Sequence, residues 1–246
     1  MNESPSMPSI RPLGRLLTLA LALALLAPGS AKALDSDPWD EVLQAHARRG
    51  GVDYAALKAD AAAMAKLDRF LASVATMPES SGLADWLNAY NAIVVKSVVE
   101  AYPLRSVRDV DGFFDGRRHR VAGTQRTLDD IENRIIRPRF RDARVHFALN
   151  CAAKSCPALH GRAFRQGALD RTLDRLVARS LASRRHVRVA DRELQVSEIF
   201  HWFHEDFERD GGSIRGWLER KGVDLSGVPA SAQIGRIRYD WRLNDV

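Results

Sequence analysis

The segment 84–101 constrains the fold most, because apolar residues occur on every side of the helix that it predicts. Leu87 and Val94 fall on one side of a helix with 3.6 residues per turn, whereas Val95 and Val99 fall on another. A helix of this kind has no face to present to water and must be packed all round. The sequence therefore predicts a central, buried helix with other elements around it.

Four other segments predict further helices. Apolar residues recur at helical spacing, with charged residues between them, over 38–48, 54–75 and 169–181. Thr127 has the position of an N-terminal cap, and Pro138 is expected to end the helix that starts there. These patterns predict amphipathic helices.

Strand signals are short and lie mainly in the second half of the chain. Alternation of apolar and polar residues predicts strands at 144–150 and 237–244, and turn residues predict hairpins around Asp115-Gly116 and Asp191-Arg192. The expected fold class is α+β, with helices around one long buried helix, packed on a small, mainly antiparallel sheet.

The N-terminal residues 1–33 have the features of a cleavable secretory signal peptide. Arg11 and Arg15 precede an apolar core at 16–27, and Ala31-Lys32-Ala33 supplies the small residues that signal peptidase requires. The core is shorter than the roughly 20 apolar residues that span a bilayer. We expect cleavage after Ala33, a periplasmic or secreted protein without a stable membrane anchor, and a single globular domain at 34–246.

Composition argues against nucleic acid as a partner. The chain is 46% apolar and 28% charged, which is typical of a globular domain, and its net charge of +6 is spread along the sequence. Basic residues cluster only at 117–118 and 184–185, without the interleaved aromatic residues of a nucleic-acid site. A solvated basic surface is the expected result, and the expected partner is an unidentified envelope ligand or peptide.

Histidines near the C-terminus resemble a metal site only superficially. His201, His204 and Glu205 do not follow the orders His-Glu-x-x-His or His-x-x-Glu-His, which place metal ligands on one helix face. We therefore predict neither a bound metal nor a cofactor.

Two asparagines lie within the predicted buried helix. A buried amide without a partner costs about 1 to 3 kcal/mol, so Asn88 and Asn91 must both be hydrogen-bonded. They either tie the helix to the backbone of a loop or contact a substrate. Tyr90 lies between them and is a candidate for the same substrate-binding set.

Two carboxylates are expected to be shielded from water. Glu132 flanks an apolar helix stripe, where its pKa rises unless a cation such as Arg137 meets it. It is therefore either an ion-pair partner or a general acid or base. Asp206 follows Trp202 and Phe203 by four and three positions, which places it on an apolar side and predicts that it joins a buried polar network.

The two cysteines allow opposite interpretations. Cys151 and Cys156 are close in sequence, and in an oxidising compartment such thiols form a disulfide, provided that the segment is a loop. Pro157 is instead favoured at the first position of a helix or turn, where peptide dipoles would stabilise a Cys156 thiolate. The sequence leaves open whether the pair is bonded or free.

Residues near the cysteines complete the candidate site. His146 is a candidate base, but on an extended strand it would lie about 16 Å from Cys151, so it serves that thiol only if the chain folds back. Asn150 and Ser155 adjoin the cysteines and are candidate substrate-binding residues.

Four motifs occur in a fixed order along the chain. They are Trp86-Leu87-Asn88-Ala89-Tyr90-Asn91-Ala92, then Leu128-Asp129-Asp130-Ile131-Glu132, then His146-Phe147-Ala148-Leu149-Asn150-Cys151 with Ser155-Cys156-Pro157, then Ser197-Glu198-Ile199-Phe200 with Asp206-Phe207. Together they resemble the domain of unknown function 547, over about residues 52–241. The resemblance implies that these positions form one site, but this family has no established activity. It also implies a histidine after the Ile-Glu pair, where this chain has Asn133.

Three functions are compatible with this set. The first is a thiol-dependent hydrolase or acyl-transfer enzyme for peptide or amide substrates, with Cys151 or Cys156 as nucleophile, His146 as base and Glu132 assisting. The second is a non-catalytic binding or assembly module stabilised by a disulfide. The third, a thiol-redox protein, is least favoured because the spacing exceeds Cys-x-x-Cys. The candidate substrate-binding residues are Asn88, Tyr90, Asn91, Asn150, Ser155 and Asp206.

Overall fold

The computed structural model describes residues 34–246 and has an α+β fold, as predicted. The signal peptide and cleavage after Ala33 lie outside the described residues. The helices are α1 (Asp37–His46), α2 (Tyr54–Ala59), α3 (Ala61–Thr76), α4 (Leu83–Ala101), α5 (Arg137–Phe140), α6 (Leu169–Leu181), α7 (Glu198–Trp202), α8 (His204–Gly211) and α9 (Ile214–Arg220). A π-helical turn at Asp130–Ile136 leads into α5, and short 3-10 helices cover Val107–Asp109, Ala143–Phe147 and Gln166–Ala168.

The strands form three small sheets. They are β1 (Ala47–Arg48), β2 (Gly51–Val52), β3 (His119–Val121), β4 (Thr124–Arg126), β5 (Val187–Ala190), β6 (Glu193–Ser197) and β7 (Ile234–Ile237). β1 pairs with β2, β3 with β4 and β5 with β6, each antiparallel, and β7 adds to β6 in parallel. Strand pairing is thus mainly antiparallel but divided among separate sheets.

Most side chains of α4 are buried. Trp86, Leu87 and Val94 are fully enclosed, and α2, α3 and the π-helical turn pack against this helix. A second group of packed aromatic rings fixes the 3-10 helix that carries His146. There the Phe147 ring centroid lies 5.8 Å from that of Phe200 and 5.7 Å from that of Trp217.

Local sequence signals explain several boundaries. α6 has the predicted span, whereas the predicted helix 54–75 divides at Asp60, whose side chain accepts a 2.9 Å hydrogen bond from Ala63 N and so caps α3. The turn of the β5–β6 hairpin lies at Asp191 and Arg192, both with positive φ. Ser197 caps α7 by accepting a hydrogen bond from Ile199 N.

The predicted end of a helix at Pro138 is wrong. The start is as expected, since the Thr127 and Asp130 side chains bond to each other's backbone N–H groups at 3.0 Å. The helix then passes through the π turn, where Arg137 N donates to the Glu132 carbonyl, and continues to Phe140. Pro138 lies in the first turn of α5, where a missing N–H is tolerated.

The predicted strand 144–150 is also wrong, because this segment starts with the 3-10 helix Ala143–Phe147. Asp142 caps it by accepting a 2.9 Å bond from Arg144 N. Val145, His146 and Phe147 are all buried, so the alternation in sequence does not correspond to alternating exposure.

Two further strand predictions need correction. Of the segment 237–244, only Ile237 belongs to a strand, and the following backbone bonds to the cysteine loop through Lys154 N to Arg242 O at 2.8 Å. The first hairpin turns at Ala122-Gly123 rather than at Asp115-Gly116, because Gly112 and Gly116 close a separate turn before β3. Among residues 34–246, no helix is long and apolar enough to cross a membrane.

Candidate functional site

One cavity of about 170 Å³ gathers much of the predicted polar set. It lies among α4, the π-helical turn, the cysteine loop, α7 and the chain following β7. Its polar and thiol lining comprises Tyr90, Asp129, Glu132, Asn133, His146, Cys151, Cys156 and Tyr239. The chain thus folds back to bring His146 and Cys151 to the same cavity, which an extended strand would have prevented.

The two thiols are adjacent at one end of this cavity. Their Sγ atoms lie 2.7 Å apart, a separation longer than the roughly 2.05 Å of a disulfide bond, and both cysteines are free in the structure. Cys151 N lies 2.8 Å from Cys156 Sγ, and the Tyr239 hydroxyl lies 3.1 Å from Cys151 Sγ. The sequence Cys-Ala-Ala-Lys-Ser-Cys forms a loop.

The environments of the two thiols separate their pKa values. The neighbouring Cys156 thiol lowers the pKa of Cys151 against the opposing effect of burial, and the Tyr239 hydroxyl lowers it further. Burial raises the pKa of Cys156 well above its usual range. Cys151 is therefore the better thiolate and the more exposed of the two. No helix begins after Pro157, so helix dipoles do not stabilise a Cys156 thiolate; the backbone donor that contacts Cys156 Sγ is Cys151 N.

Asp206 orients His146. Asp206 Oδ2 lies 2.8 Å from His146 Nε2 and accepts a 2.6 Å bond from Arg137 Nε, while Oδ1 accepts a 2.8 Å bond from Arg209 Nη1. Burial raises the pKa of Asp206, but the hydrogen bonds from His146, Arg137 and Arg209 outweigh it and lower the pKa overall. An ionised carboxylate only accepts, so Nε2 must carry the proton of a neutral His146.

The other ring nitrogen of His146 is left available as a base. Within the described residues, Nδ1 is buried and has no hydrogen-bond partner, and Glu132 Oε1 lies 3.9 Å away. The ring stacks on Phe203 with centroids 4.0 Å apart. Burial lowers the pKa of His146 despite the opposing effect of Asp206, which favours the neutral ring with a free lone pair on Nδ1.

Glu132 is a shielded carboxyl group. Burial raises its pKa to about 7, and the hydrogen bond from Tyr90 and the charge of Arg137 only partly oppose that effect. The Tyr90 hydroxyl donates to Glu132 Oε2 at 3.1 Å. Arg137 pairs with Asp206 rather than Glu132, so the expected ion-pair alternative for Glu132 is not formed.

Asn88 and Asn91 are used as tethers between α4 and two loops. Asn88 donates to Phe164 O and accepts from Phe164 N, both at 2.9 Å. Asn91 donates to Ala148 O and accepts from Asn150 N, also at 2.9 Å. Neither side chain lines the cavity, so their placement corresponds to the loop-tethering alternative.

Asn150 and Ser155 shape the cysteine loop from within. Asn150 Nδ2 donates to Pro157 O at 2.8 Å, and its Oδ1 accepts from Ala152 N at 2.9 Å. Ser155 Oγ accepts from Asp240 N at 2.8 Å. Neither residue lines the cavity, so of the predicted substrate-binding set only Tyr90 does.

Asn133 lies in the cavity lining, so the expected departure from the family pattern falls within the site. Asn133 Nδ2 donates to Asp129 Oδ1 at 2.6 Å, and Asn133 Oδ1 accepts from Arg137 Nη1 at 2.7 Å. Asn133 thus links the cavity wall to the arginine that holds Asp206.

Sequence reasoning missed Tyr239 and the aromatic part of the lining. The alternation at 237–244 predicts Tyr239 only as a strand residue, although the resemblance to the family, which extends to about residue 241, covers this position. Phe114, Trp202, Phe203 and Trp241 complete the aromatic lining. In residues 34–246, no cluster of three or more His, Cys, Asp or Glu side chains is arranged to hold a metal ion.

Comparison with known proteins identifies the family. No curated protein and no solved structure matches the chain. Residues 74–201 match the family described as protein of unknown function, DUF547, and this segment contains Tyr90, Glu132, His146 and both cysteines. Asp206 and Tyr239 lie beyond it. Because the match covers more than half of the sequence, the chain belongs to the DUF547 family.

Proposed function

We propose that this protein is a thiol-dependent hydrolase or acyl-transfer enzyme that acts on peptide or amide substrates, with Cys151 as its nucleophile. The observation that carries the proposal is that Cys151 shares a cavity with His146, whose Nε2 is held by Asp206 while Nδ1 has no hydrogen-bond partner within residues 34–246. A nucleophile, a base and a group that orients the base are the components of a catalytic triad.

The reaction proceeds through an acyl-enzyme. His146 Nδ1 takes the thiol proton, directly or through one water molecule, and Cys151 Sγ forms a bond to the carbonyl carbon. The C–N bond then breaks, and the amine leaves with a proton. Water attacks the thioester carbonyl, the C–S bond breaks, and the products are a carboxylic acid and the regenerated thiol. An amine or alcohol in place of water gives acyl transfer.

Glu132 supplies a second proton-transfer group. With a pKa of about 7 it is partly protonated at neutral pH, whereas burial keeps His146 neutral. A protonated Glu132 can donate a proton as a general acid, and a neutral His146 can accept one as a general base. The Tyr239 hydroxyl, 3.1 Å from Cys151 Sγ, stabilises the thiolate by hydrogen bonding.

Acetyl transfer from p-nitrophenyl acetate tests the proposal. We expect an acetyl adduct on Cys151 of the reduced protein, detected by mass spectrometry, followed by its hydrolysis. Cys151→Ser should lose the adduct and turnover, whereas Cys156→Ser should retain the adduct. An adduct on Cys156, or acetylation of Cys151 no faster than that of N-acetylcysteine, would contradict the proposal.

A disulfide-stabilised binding or assembly module is the second candidate. Its support is the 2.7 Å separation of the thiols together with a loop held by Asn91 and Asn150. Thiol–disulfide exchange with an oxidised dithiol partner would reduce that partner's disulfide to two thiols, join the two sulfurs of this protein and eliminate the nucleophile. Thiol counting in protein purified from the periplasm without reductant distinguishes the candidates, because the module predicts no free thiol, whereas the enzyme, with Cys151 unbonded, predicts two.

Export places either function in the cell envelope. We propose that residues 1–33 are removed as a signal peptide, because Ala31-Lys32-Ala33 follows a short apolar core. The mature protein then begins at Leu34 and is periplasmic or secreted. Intact-mass measurement of the exported protein tests this, and a mass that retains residues 1–33 would exclude it.

A further inference from the structure

Three large aromatic side chains form a partly exposed wall of the cavity. The Tyr239 ring centroid lies 4.8 Å from that of Trp202 and 4.7 Å from that of Trp241, and the two indole rings lie 5.7 Å apart. All three line the cavity, and Trp202 is 45% exposed. We call these residues the aromatic wall. Such a wall gains free energy when an apolar group covers it.

The charged groups that line the cavity disfavour an anionic occupant. Its charged lining includes Asp129 and Glu132, and no lysine or arginine of the described chain lines it. Arg108 lies over the Trp241 ring at 5.6 Å and Arg137 over Phe203 at 4.9 Å, but neither reaches the cavity surface. A carboxylate placed there would lose hydration without gaining a cation.

The cavity is large enough for one six-membered ring. At about 170 Å³ it is comparable to an apolar cavity of roughly 150 Å³ that is known to hold benzene. Tyr239 belongs to the aromatic wall and also lies 3.1 Å from Cys151 Sγ through its hydroxyl. A ring that packs on this wall therefore lies beside the nucleophile.

We infer that the substrate carries an uncharged, apolar group of about one six-membered ring next to its reactive carbonyl, and that this group packs on the aromatic wall. The inference rests on the proposed function and specifies its substrate class. Selectivity arises because ring burial favours the correct substrate, while Asp129 and Glu132 disfavour a carboxylate at the same position.

Three alkylating reagents test this inference on the reduced protein. They are N-benzyl iodoacetamide, iodoacetamide and iodoacetate, with each rate at Cys151 measured by mass spectrometry and divided by its rate with N-acetylcysteine. We expect the normalised rate of the benzyl reagent to exceed that of iodoacetamide by about tenfold, and that of iodoacetate to be about tenfold lower. Trp202→Ala should abolish most of the benzyl preference. Val189→Ala, at an exposed apolar residue outside the cavity lining, is the control.

The outcomes separate this inference from the proposed function. If Cys151 reacts faster than N-acetylcysteine but shows no benzyl preference, or accepts iodoacetate as readily as iodoacetamide, the substrate class is wrong and the nucleophile stands. If Cys151 reacts no faster than N-acetylcysteine with any reagent, both are overturned. A benzyl preference that survives in Trp202→Ala would overturn the role of the aromatic wall.

Discussion

The two polar regions beside α4 differ in how completely their groups are paired. In the tethers, Asn88 and Asn91 each donate to and accept from loop backbone at 2.9 Å. In the cavity, His146 Nδ1 has no partner among the described residues, and burial raises the pKa of Glu132 to about 7. Amides with all their hydrogen bonds formed stabilise a fold. Buried groups that lack a partner, or whose pKa burial has shifted, reduce stability and are suited to catalysis.

Buried polar residues of one helix, α4, therefore fall into two groups: those that stabilise the fold and those that belong to the candidate site. Tyr90 lies between the two asparagines in sequence but bonds to Glu132 at the cavity. A tether should therefore destabilise the fold when removed. A cavity carboxyl group should instead affect the protonation of the site, even where its removal stabilises the protein.

The largest effect on stability is expected for Asp206→Ala. This variant tests whether one residue both stabilises the fold and orients His146 at the candidate site. The change leaves His146, Arg137 and Arg209 without their shared acceptor. Because breaking a buried ion pair leaves uncompensated charge, the free energy of unfolding should fall by about 3 to 5 kcal/mol in urea denaturation. Glu205→Ala, at the exposed neighbouring residue, is the control and should change it little. A loss below 1 kcal/mol would show that this network is not stabilising.

Glu132→Gln should produce a pH-dependent gain in stability. The folded pKa of about 7 exceeds the usual 4.5, so the native protein binds more protons than the unfolded chain between these values. Wild-type stability therefore loses on the order of 3 kcal/mol as pH rises through this window, and the glutamine variant avoids that loss. Burial lowers the pKa of His146 and His186, which gives the opposite dependence on pH in both proteins.

Urea denaturation of wild type and Glu132→Gln from pH 4.5 to 8 measures this difference. Glu193→Gln, at an exposed carboxylate of β6, is the matched control and should follow wild type. A stability difference between Glu132→Gln and wild type that does not change with pH would mean that Glu132 is not shielded.

Asn91→Ala should destabilise the protein by about 2 kcal/mol, because it leaves Ala148 O and Asn150 N unpaired in the interior. Urea unfolding measures the loss, with the exposed Gln125→Ala as control. The pH midpoint of Cys151 alkylation should remain that of wild type. A shifted midpoint with unchanged stability would place Asn91 with the cavity groups instead.

Patterns in the sequence predict those helices and hairpins whose formation depends on residues close together in the chain. The span of α6 follows from helical periodicity, and the β5–β6 hairpin follows from its alternation and the turn at Asp191-Arg192. The 3-10 helix Ala143–Phe147 escapes such patterns, because His146 and both of its neighbours are buried. In this segment, the alternation of apolar and polar residues therefore does not predict which side chains are exposed.

The candidate site depends on contacts that are distant in sequence. The spacing of Asp206 to Trp202 and Phe203 predicts that its side chain joins a buried network. The helix breaks at Phe203, however, and the contacts of the Asp206 carboxylate come from Arg137 and His146. No local rule joins residues this far apart. Tyr239 meets Cys151 for the same reason, through the backbone pairing of two irregular segments.

The pH dependence of alkylation tests the central claim that Cys151 is the activated thiol. Iodoacetamide labelling of the reduced protein, resolved by mass spectrometry, gives a separate rate for each cysteine. We expect Cys151 to react first, with a midpoint below the roughly 8.5 of an unperturbed cysteine, because the neighbouring thiol and Tyr239 favour its thiolate. Preferential labelling of Cys156, or a Cys151 midpoint at or above that of N-acetylcysteine, would contradict the claim.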